Sequence, residues 1–355
     1  MLKTVKRLGA LVLAIVICLS FAACHKQGEI AVRADGVEFT SAFYSCALLA
    51  ADMQAQEIMA ERYESTSTTL NNAAWLDKTI DEVPYVEWVE KRALDTIKEM
   101  VVAKKLCEEN KIDTAKYFEL ADQNAEYLWS YGYADFFTQN GVSFNTYKEF
   151  SRYEQYSTAY FDFLYGEGGE KAVSKEELKT FADTNYAYLN IYAEDITNMS
   201  EDEMQVVKEE LESYKAMLES GKTFTEVYAK ATDTEYKADS TDTGNFSHSL
   251  ATIWGATGTS YENNYFENAK EMAKGEIKIV TLTEEDATYA VLILKGDITG
   301  ESNTNIETVY SAARTDLKGE EFDAFITEKV EAVNLETVKY AVNQFKVKKI
   351  KFPAQ

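Results

Sequence analysis

The chain reads as a mostly α protein with an inserted α/β (α+β) unit, and three observations lead there. Apolar residues recur at helical spacing through residues 40–165, with no convincing strand among them. Strict alternation begins after Tyr186, and two further strand-like runs stand at 277–282 and 288–294. A long helical pattern then returns over about 304–333.

Each element has a local reason. Residues 30–39 (IAVRADGVEF) read as a short strand pair about the Asp35-Gly36 turn. Thr40 is placed to cap a helix running to about residue 63, and the polar run 64–74 reads as a loop. A helix is expected over about 76–110, with Pro84 near its start as a point of division. Helices over about 114–138 and 144–165 are separated by Asn140-Gly141, and Gly166 to Gly169 is a break. Ser174-x-x-Glu177 is a capping box opening a short helix through Phe181. After the strand AYLNIYA (187–193), a second box, Ser200-x-x-Glu203, precedes Met204, Val207, Leu211, Tyr214 and Leu218 at steps of three and four, closed by Gly221. Phe224, Val227, Tyr228 and Ala231 mark another short helix, 239–260 a Gly/Ser/Thr-rich loop, and 265–273 a helix. The expected domains are a helical one over 24–185, completed by 299–355, and an inserted α/β one over 186–298. A helix that follows an insertion needs an apolar partner, and the N-terminal helices are the available one.

The first residues read as a targeting segment. Lys3, Lys6 and Arg7 precede an unbroken apolar run of ten, 10–19 (ALVLAIVICL). That suits a signal peptide and falls short of the roughly 20 residues of a spanning helix. Ala22 and Ala23 then precede Cys24, and the segment LSFAAC resembles the lipobox of bacterial lipoproteins, with Phe21 where leucine is usual. Residues 1–23 are therefore expected to be a lipoprotein signal peptide and Cys24 the lipidated residue. The expected location is the outer face of the cytoplasmic membrane, held to the lipid bilayer through the Cys24 lipid.

Charge narrows the partners. Losing Lys3, Lys6 and Arg7 with the signal takes the net charge from −24 to −27. Such acidity disfavours nucleic acid and anionic lipid heads, both of which recruit Lys and Arg. With 46% hydrophobic and 13% aromatic residues the chain has enough apolar matter for a real core. Cys46 and Cys107 remain after processing, and spacing leaves open whether they pair or stay as two buried thiols. Only His25 and His248 are present, and there is no CxxC, GxGxxG or phosphate loop, so neither a metal nor a cofactor is expected.

Several segments, in order, carry a resemblance. GKTFTEVYAKATD (221–233) is similar to a G-x-x-F-x-x-x-A helix, and STDTGNF (240–246) to G-G-D-L-G-x-F, keeping Asp242, Gly244 and Phe246. YFENAKEMAKGEI (265–277) is similar to F-x-x-A…GE(I/V), TYAVLIL (288–294) to G-Y-H-I-I, and AVRADGVEFTSAFY (31–44) to V-A-x-V-N-G-x-x-I-T. Residues 186–298 thus resemble the parvulin family of peptidyl-prolyl isomerases. The whole mature chain resembles the PrsA/SurA-like extracytoplasmic foldases, which set such a domain among chaperone helices. The resemblance places the family's Cys-or-Asp position on Asp233 and its proline pocket on Phe266 and Phe246. Its two histidines fall on Leu189 (Tyr188 with a one-residue shift) and Ala290. Parvulins lower an amide rotation barrier of about 18–20 kcal/mol without a covalent intermediate. Apolar residues at both histidine positions remove the polar network and imply a weak or inactive isomerase.

One further region stands out. Fifteen of the 39 residues 127–165 are aromatic, and from Phe144 to Tyr156 they recur every three residues, so they wind around the helix. Such a helix is either buried between several partners or lines a cleft for unfolded polypeptide, with Tyr147, Tyr153 and Tyr156 the candidate contacts. The expected function is that of a membrane-anchored chaperone or foldase binding unfolded or newly exported chains. An active parvulin-type isomerase is one alternative. A solute-binding lipoprotein of a transporter is another, which the lack of strands in 40–165 disfavours.

Overall fold

The structure is a computed structural model that describes residues 28–63, 71–231, 250–253, 265, 267–269, 271–284, 287–300 and 306–353. The signal segment, Cys24, His25, Asp233, Asp242, Gly244, Phe246, His248 and Phe266 lie outside the described residues. The chain is mostly helical with a small sheet part. It divides into two units: Met1–Ala172 with Glu320–Gln355, and Val173–Gly319.

In the first unit, strands β1 (Ile30–Ala34) and β2 (Val37–Thr40) form the expected hairpin. Asp35 and Gly36 both take positive φ, 47° and 84°, the primed turn whose twist matches the strands. Asp35 also accepts from the Asn334 N–H at 2.8 Å and from Lys105 at 2.6 Å, tying the turn to distant residues. Thr40 accepts from the Phe43 N–H and opens helix α1 (Ser41–Arg62). Every residue of α1 from Ser41 to Leu49 is buried, so this helix sits inside the unit. The expected helix over 76–110 is shorter than its pattern. Strands β3 (Thr79–Ile80) and β4 (Val83–Pro84) make a small hairpin first, and α2 (Tyr85–Glu109) begins only after Pro84, whose φ of −53° and missing N–H suit a helix entry.

Helix α3 (Ala115–Leu128) runs into a π-helical turn, Trp129–Tyr133, where Gly132 takes φ 115° and lets the chain restart as α4 (Ala134–Gln139). Helix α5 (Phe144–Tyr165) is capped by Ser143. Its aromatics meet neighbours on several sides. Tyr153 packs on Phe39 and Phe43, Tyr156 on Phe118, Tyr147 on Phe137, and Tyr160 on Phe322 and Phe325. That explains their winding pattern. The C-terminal residues return to this unit. Strand β9 (Leu335–Thr337 in chain order, after β5–β8 below) pairs with β1, and Val347 is fully buried. Lys351 exchanges two backbone hydrogen bonds with the Asn140 side chain, at 2.8 and 2.9 Å. Cys46 and Cys107 are separate buried thiols.

The second unit opens with α6 (Lys175–Asn185), whose capping box is formed as expected but which extends past Phe181 to Asn185. Strands β5 (Ala187–Asp195), β6 (Leu250–Ile253), β7 (Ile277–Glu284) and β8 (Ala287–Lys295) form an antiparallel sheet in the order β6-β5-β8-β7. Helix α7 (Glu201–Glu219) carries the second capping box, and α8 (Phe224–Ala231) follows. One sheet face packs on Tyr265, Ala269 and Met272. The other packs on Val207, Leu211 and Tyr214 of α7 and Phe224 and Val227 of α8.

The last long helix, α9 (Ile306–Val330), begins in the second unit and ends in the first, the division falling after Gly319. Ile306 to Leu317, the apolar series expected to pack on the N-terminal helices, groups instead with the α/β unit. Phe322 and Phe325 are the residues that meet α5. The observed boundaries, after 172 and after 319, lie outside the expected 185/186 and 298/299. Helix α6 is the reason at one end: Lys179 and Asp183 hydrogen-bond Thr299, at 2.7 Å each, and Tyr186 donates to Asp316 at 2.5 Å.

Candidate functional site

Two places invite a functional reading, the sheet of the second unit and a groove in the first. On the sheet, the positions matched to the paired histidines do not meet. Leu189 of β5 is fully buried and faces Tyr265, Ala269 and Met272. Ala290 of β8 is buried on the opposite face, against α7 and α8. Their register partners are Lys295 and Glu194, so they also stand five residues apart along the strands, roughly 17 Å at strand rise. Shifting the match to Tyr188 recovers the face, since side chains alternate, but increases the separation. The pairing of Leu189 with Ala290 as one centre is therefore corrected: each is a core residue of a different layer. The residue directly across from Leu189 on β8 is Lys295, which sequence reasoning missed. Its ammonium donates to the Ala269 carbonyl at 2.9 Å, and burial lowers its pKa.

The concavity at that end of the sheet is lined by Lys179, Asp183, Lys274, Lys295 and Asp297. Lys179 pairs with Asp183, and Lys274 with Asp297. Two of its three lysines thus pair with its two aspartates, while Lys295 donates to the Ala269 carbonyl.

The groove of the helical unit is different in kind. It has a volume of about 810 Å³. One wall is a single face of α1: Cys46, Ala50, Met53, Glu57 and Ala60 follow at steps of three and four. The opposite wall is Leu128, Tyr133, Phe137, Tyr147, Phe150 and Glu154, delivered by α3, the π-helical turn, α4 and α5. Gly132 is what allows this, because only its left-handed backbone turns the chain so that Tyr133 and Phe137 both reach the groove. Phe137 and Tyr147 lie 4.4 Å apart between ring centres and Trp129 packs on both, so the wall is pre-formed.

Of the three candidate tyrosines, only Tyr147 lines this groove. Tyr153 borders a neighbouring, more polar concavity with Arg92, Glu99, Phe322 and Asp323, while its ring packs into the core. Tyr156 packs on Phe118 and Tyr153. All three are half-buried.

Besides its tyrosines, the groove is lined by the polar groups of Gln54, Gln56, Glu57 and Glu154, and among the described residues no Lys or Arg lines it. Gln56 is committed elsewhere, donating to Asp52 and accepting from the Asn71 N–H, both at 2.8 Å. Glu154 is open to water on one side and hemmed by protein on the others. That partial desolvation pushes its carboxyl up to about 7. The Cys46 thiol is raised far more strongly, by full burial with Glu154 nearby, which makes it an inert wall and not a nucleophile. The signal that could have found the groove was the α1 face from Cys46 to Ala60; the two glutamates have no signature in sequence. Among the described residues no cluster of His, Cys, Asp and Glu is arranged to hold a metal ion, and no helix is long and apolar enough to cross a membrane.

No protein-family model matches the chain, and no curated protein matches it significantly. Solved structures do. A foldase protein PrsA from Lactococcus lactis is similar at 11% identity and a TM-score of 0.40, over 90% of this chain and 99% of that one. A foldase protein PrsA from Streptococcus pneumoniae is similar at 16% identity and a TM-score of 0.37, over 81% and 96%. One of the SurA-like chaperone structures from Campylobacter jejuni is similar at 10% identity and a TM-score of 0.26, over 87% and 99%.

Proposed function

We propose that this protein is an extracytoplasmic chaperone of the foldase type, held to the membrane by a lipid on Cys24, that binds unfolded or newly exported polypeptide in the groove of its helical unit. The observation that carries the reading is the groove itself: an open, apolar, aromatic-walled channel of about 810 Å³, bounded by side chains from five elements. A segment of extended chain inserts two or three side chains into such a channel and leaves its backbone in water, which suits binding without sequence identity. The resemblance of the sequence to PrsA/SurA-like foldases points the same way. In this reading the α/β unit contributes little isomerase rate, because its sheet carries buried apolar residues on both faces and no histidine.

The experiment is one preparation assayed for suppressing aggregation of an unfolded protein and for isomerising a proline peptide. The expected result is suppression with little isomerisation. Failure to suppress aggregation at any ratio ends the chaperone reading. Anchoring is checked by labelled fatty acid: incorporation is expected in the wild type and absent in Cys24→Ala, and unchanged labelling of the variant refutes lipidation there.

A further inference from the structure

Glu57 and Glu154 are the two acids of the helical unit that line the groove. Elsewhere in this unit carboxylates are widely held: Glu90 by Lys346, Asp95 by Lys91 and Lys98, Glu99 by Arg92, and Asp122 by Arg152 and Lys148. Neither Glu57 nor Glu154 has an ion pair or hydrogen bond among the described residues, although both border the groove. The guanidinium that shares the neighbouring concavity with Glu154 is already engaged. Arg92 donates Nε to Gln54 at 3.0 Å and its two terminal nitrogens to Glu99 at 2.6 and 3.1 Å. The other charged group bordering Glu154, from α9, is Asp323, of the same sign. The groove therefore combines an apolar floor with two carboxyl groups that have no ion pair among the described residues, Glu57 on α1 and Glu154 on α5.

We propose that this groove selects extended polypeptide segments in which Lys or Arg neighbours apolar or aromatic side chains, the apolar groups filling the floor and the cation lying between Glu57 and Glu154. The inference rests on the chaperone reading and names its substrate class. A cation there meets two carboxyl acceptors at the border of the apolar groove, and complementary charge favours such a segment over an acidic one. The raised pKa of Glu154 fits this: the carboxylate lacks a positive neighbour in the empty groove, and a bound cation supplies one. A net charge of −24 for the whole chain also draws basic segments from a distance and repels a second copy.

The test uses the full protein and four labelled peptides of equal length, read by fluorescence anisotropy. Three carry the same Leu/Phe positions with Lys, Ser or Glu between them; the fourth alternates Lys with Ser and has no apolar residue. The expected order is Lys/apolar tightest, the Ser peptide next and the Glu peptide weakest, with about tenfold between the first and last. The Lys/Ser peptide is expected to bind poorly. Glu57→Gln and Glu154→Gln should each narrow the Lys-to-Glu ratio, and the double variant should close most of it.

Equal binding of the three apolar peptides overturns the inference and leaves the chaperone reading standing. Binding by none of them overturns both. Tight binding of the Lys/Ser peptide overturns it by assigning the preference to surface charge alone. Concentration-dependent self-association that competes with the peptides assigns the groove to a second copy and also overturns it. Because the peptide series is read on the wild type, a variant that fails to fold does not remove the test.

Discussion

The two units handle apolar surface in opposite ways. In the α/β unit a four-stranded sheet is covered on both faces, and its edge concavity holds two Lys–Asp pairs and Lys295, which donates to a backbone carbonyl. In the helical unit one helix, α1, is buried along its first half and then presents a face that lines an open groove among the described residues. A sheet with two covered faces has little apolar surface to offer a ligand. A bundle that leaves one helix face open offers a channel, and the cost of that exposed surface is a sign of use. In the proposed reading, binding belongs to the helices and the sheet serves as scaffold.

The largest expected effect tests the core on which the groove is built. Phe43 is 2% exposed and packs on Phe39, Phe150 and Tyr153. Phe43→Ala should cost about 3–5 kcal/mol. Urea unfolding followed by tryptophan fluorescence checks this, since three of the four tryptophans, Trp75, Trp88 and Trp129, lie in the helical unit. A loss below about 1 kcal/mol would mean that α1 is not the centre of this unit.

A smaller effect comes from Asp52, fully buried behind the groove wall. It accepts from Asn72 at 2.7 Å, Gln56 at 2.8 Å and Tyr85 at 3.0 Å. Desolvation outweighs these donors and raises its pKa from the ordinary 3.8. The folded protein thus keeps a proton that the unfolded chain has released. The unfolded state binds fewer protons across that window, so Asp52 lowers stability as pH rises from about 4 through its raised folded value. Asp52→Asn should remove this slope. Urea midpoints of wild type and variant at several pH values decide it; parallel profiles would show that Asp52 titrates normally. Asp52→Ala leaves three donors without their acceptor and should cost about 1–3 kcal/mol at any pH.

What was legible in the sequence was local. The two capping boxes, the Asp35-Gly36 turn and the apolar spacing of α7 each lie within a few residues, and each formed where the pattern put it. Long-range partners were not legible. Strand β9 is three residues long and pairs with β1 across some 300 positions, so no periodicity announces it. The Thr79–Pro84 hairpin hid inside a helical pattern because Asp81 and Glu82 take positive φ without a glycine to mark the turn. The aromatic-rich segment 127–165 was visible, but which of its rings face the groove depends on the π-helical turn at Gly132. The histidine positions were mismatched for a related reason: a one-residue slip reverses a strand's faces, and only the pairing fixes it.

The next effect separates Tyr147 from Tyr153, two residues the sequence treated alike. Tyr147 lines the groove, whereas the Tyr153 ring is held by Phe39 and Phe43. Tyr147→Ser should weaken binding of unfolded chains about tenfold, the loss of one aromatic contact, with a small change in stability. Tyr153→Ser should mainly destabilise, by about 2–3 kcal/mol for a half-buried aromatic. Anisotropy with a labelled unfolded protein and urea unfolding on both variants separate the two. If Tyr153→Ser weakens binding without destabilising, the channel extends further along α5 than drawn here.

The smallest expected effect is the one that most sharply divides scaffold from site. Placing histidine at both Leu189 and Ala290 would restore an isomerase centre if those residues shared a pocket. They do not: one faces Tyr265 and Ala269, the other faces α7 and α8, and five residues of register part them. Two imidazoles so placed cannot hydrogen-bond each other, and each enters an apolar layer with no partner waiting, a cost of about 1–3 kcal/mol apiece. Rate enhancement needs interactions stronger in the twisted amide than in the planar one, and the double variant adds none at a common point. Wild type and Leu189→His/Ala290→His should therefore both isomerise a short proline peptide at close to the uncatalysed rate, measured at about 10 °C where that step takes minutes. The variant should differ only by a lower melting temperature. A gain of tenfold or more in the variant would mean that the β5–β8 register differs from the one described, and would move catalysis back to the sheet.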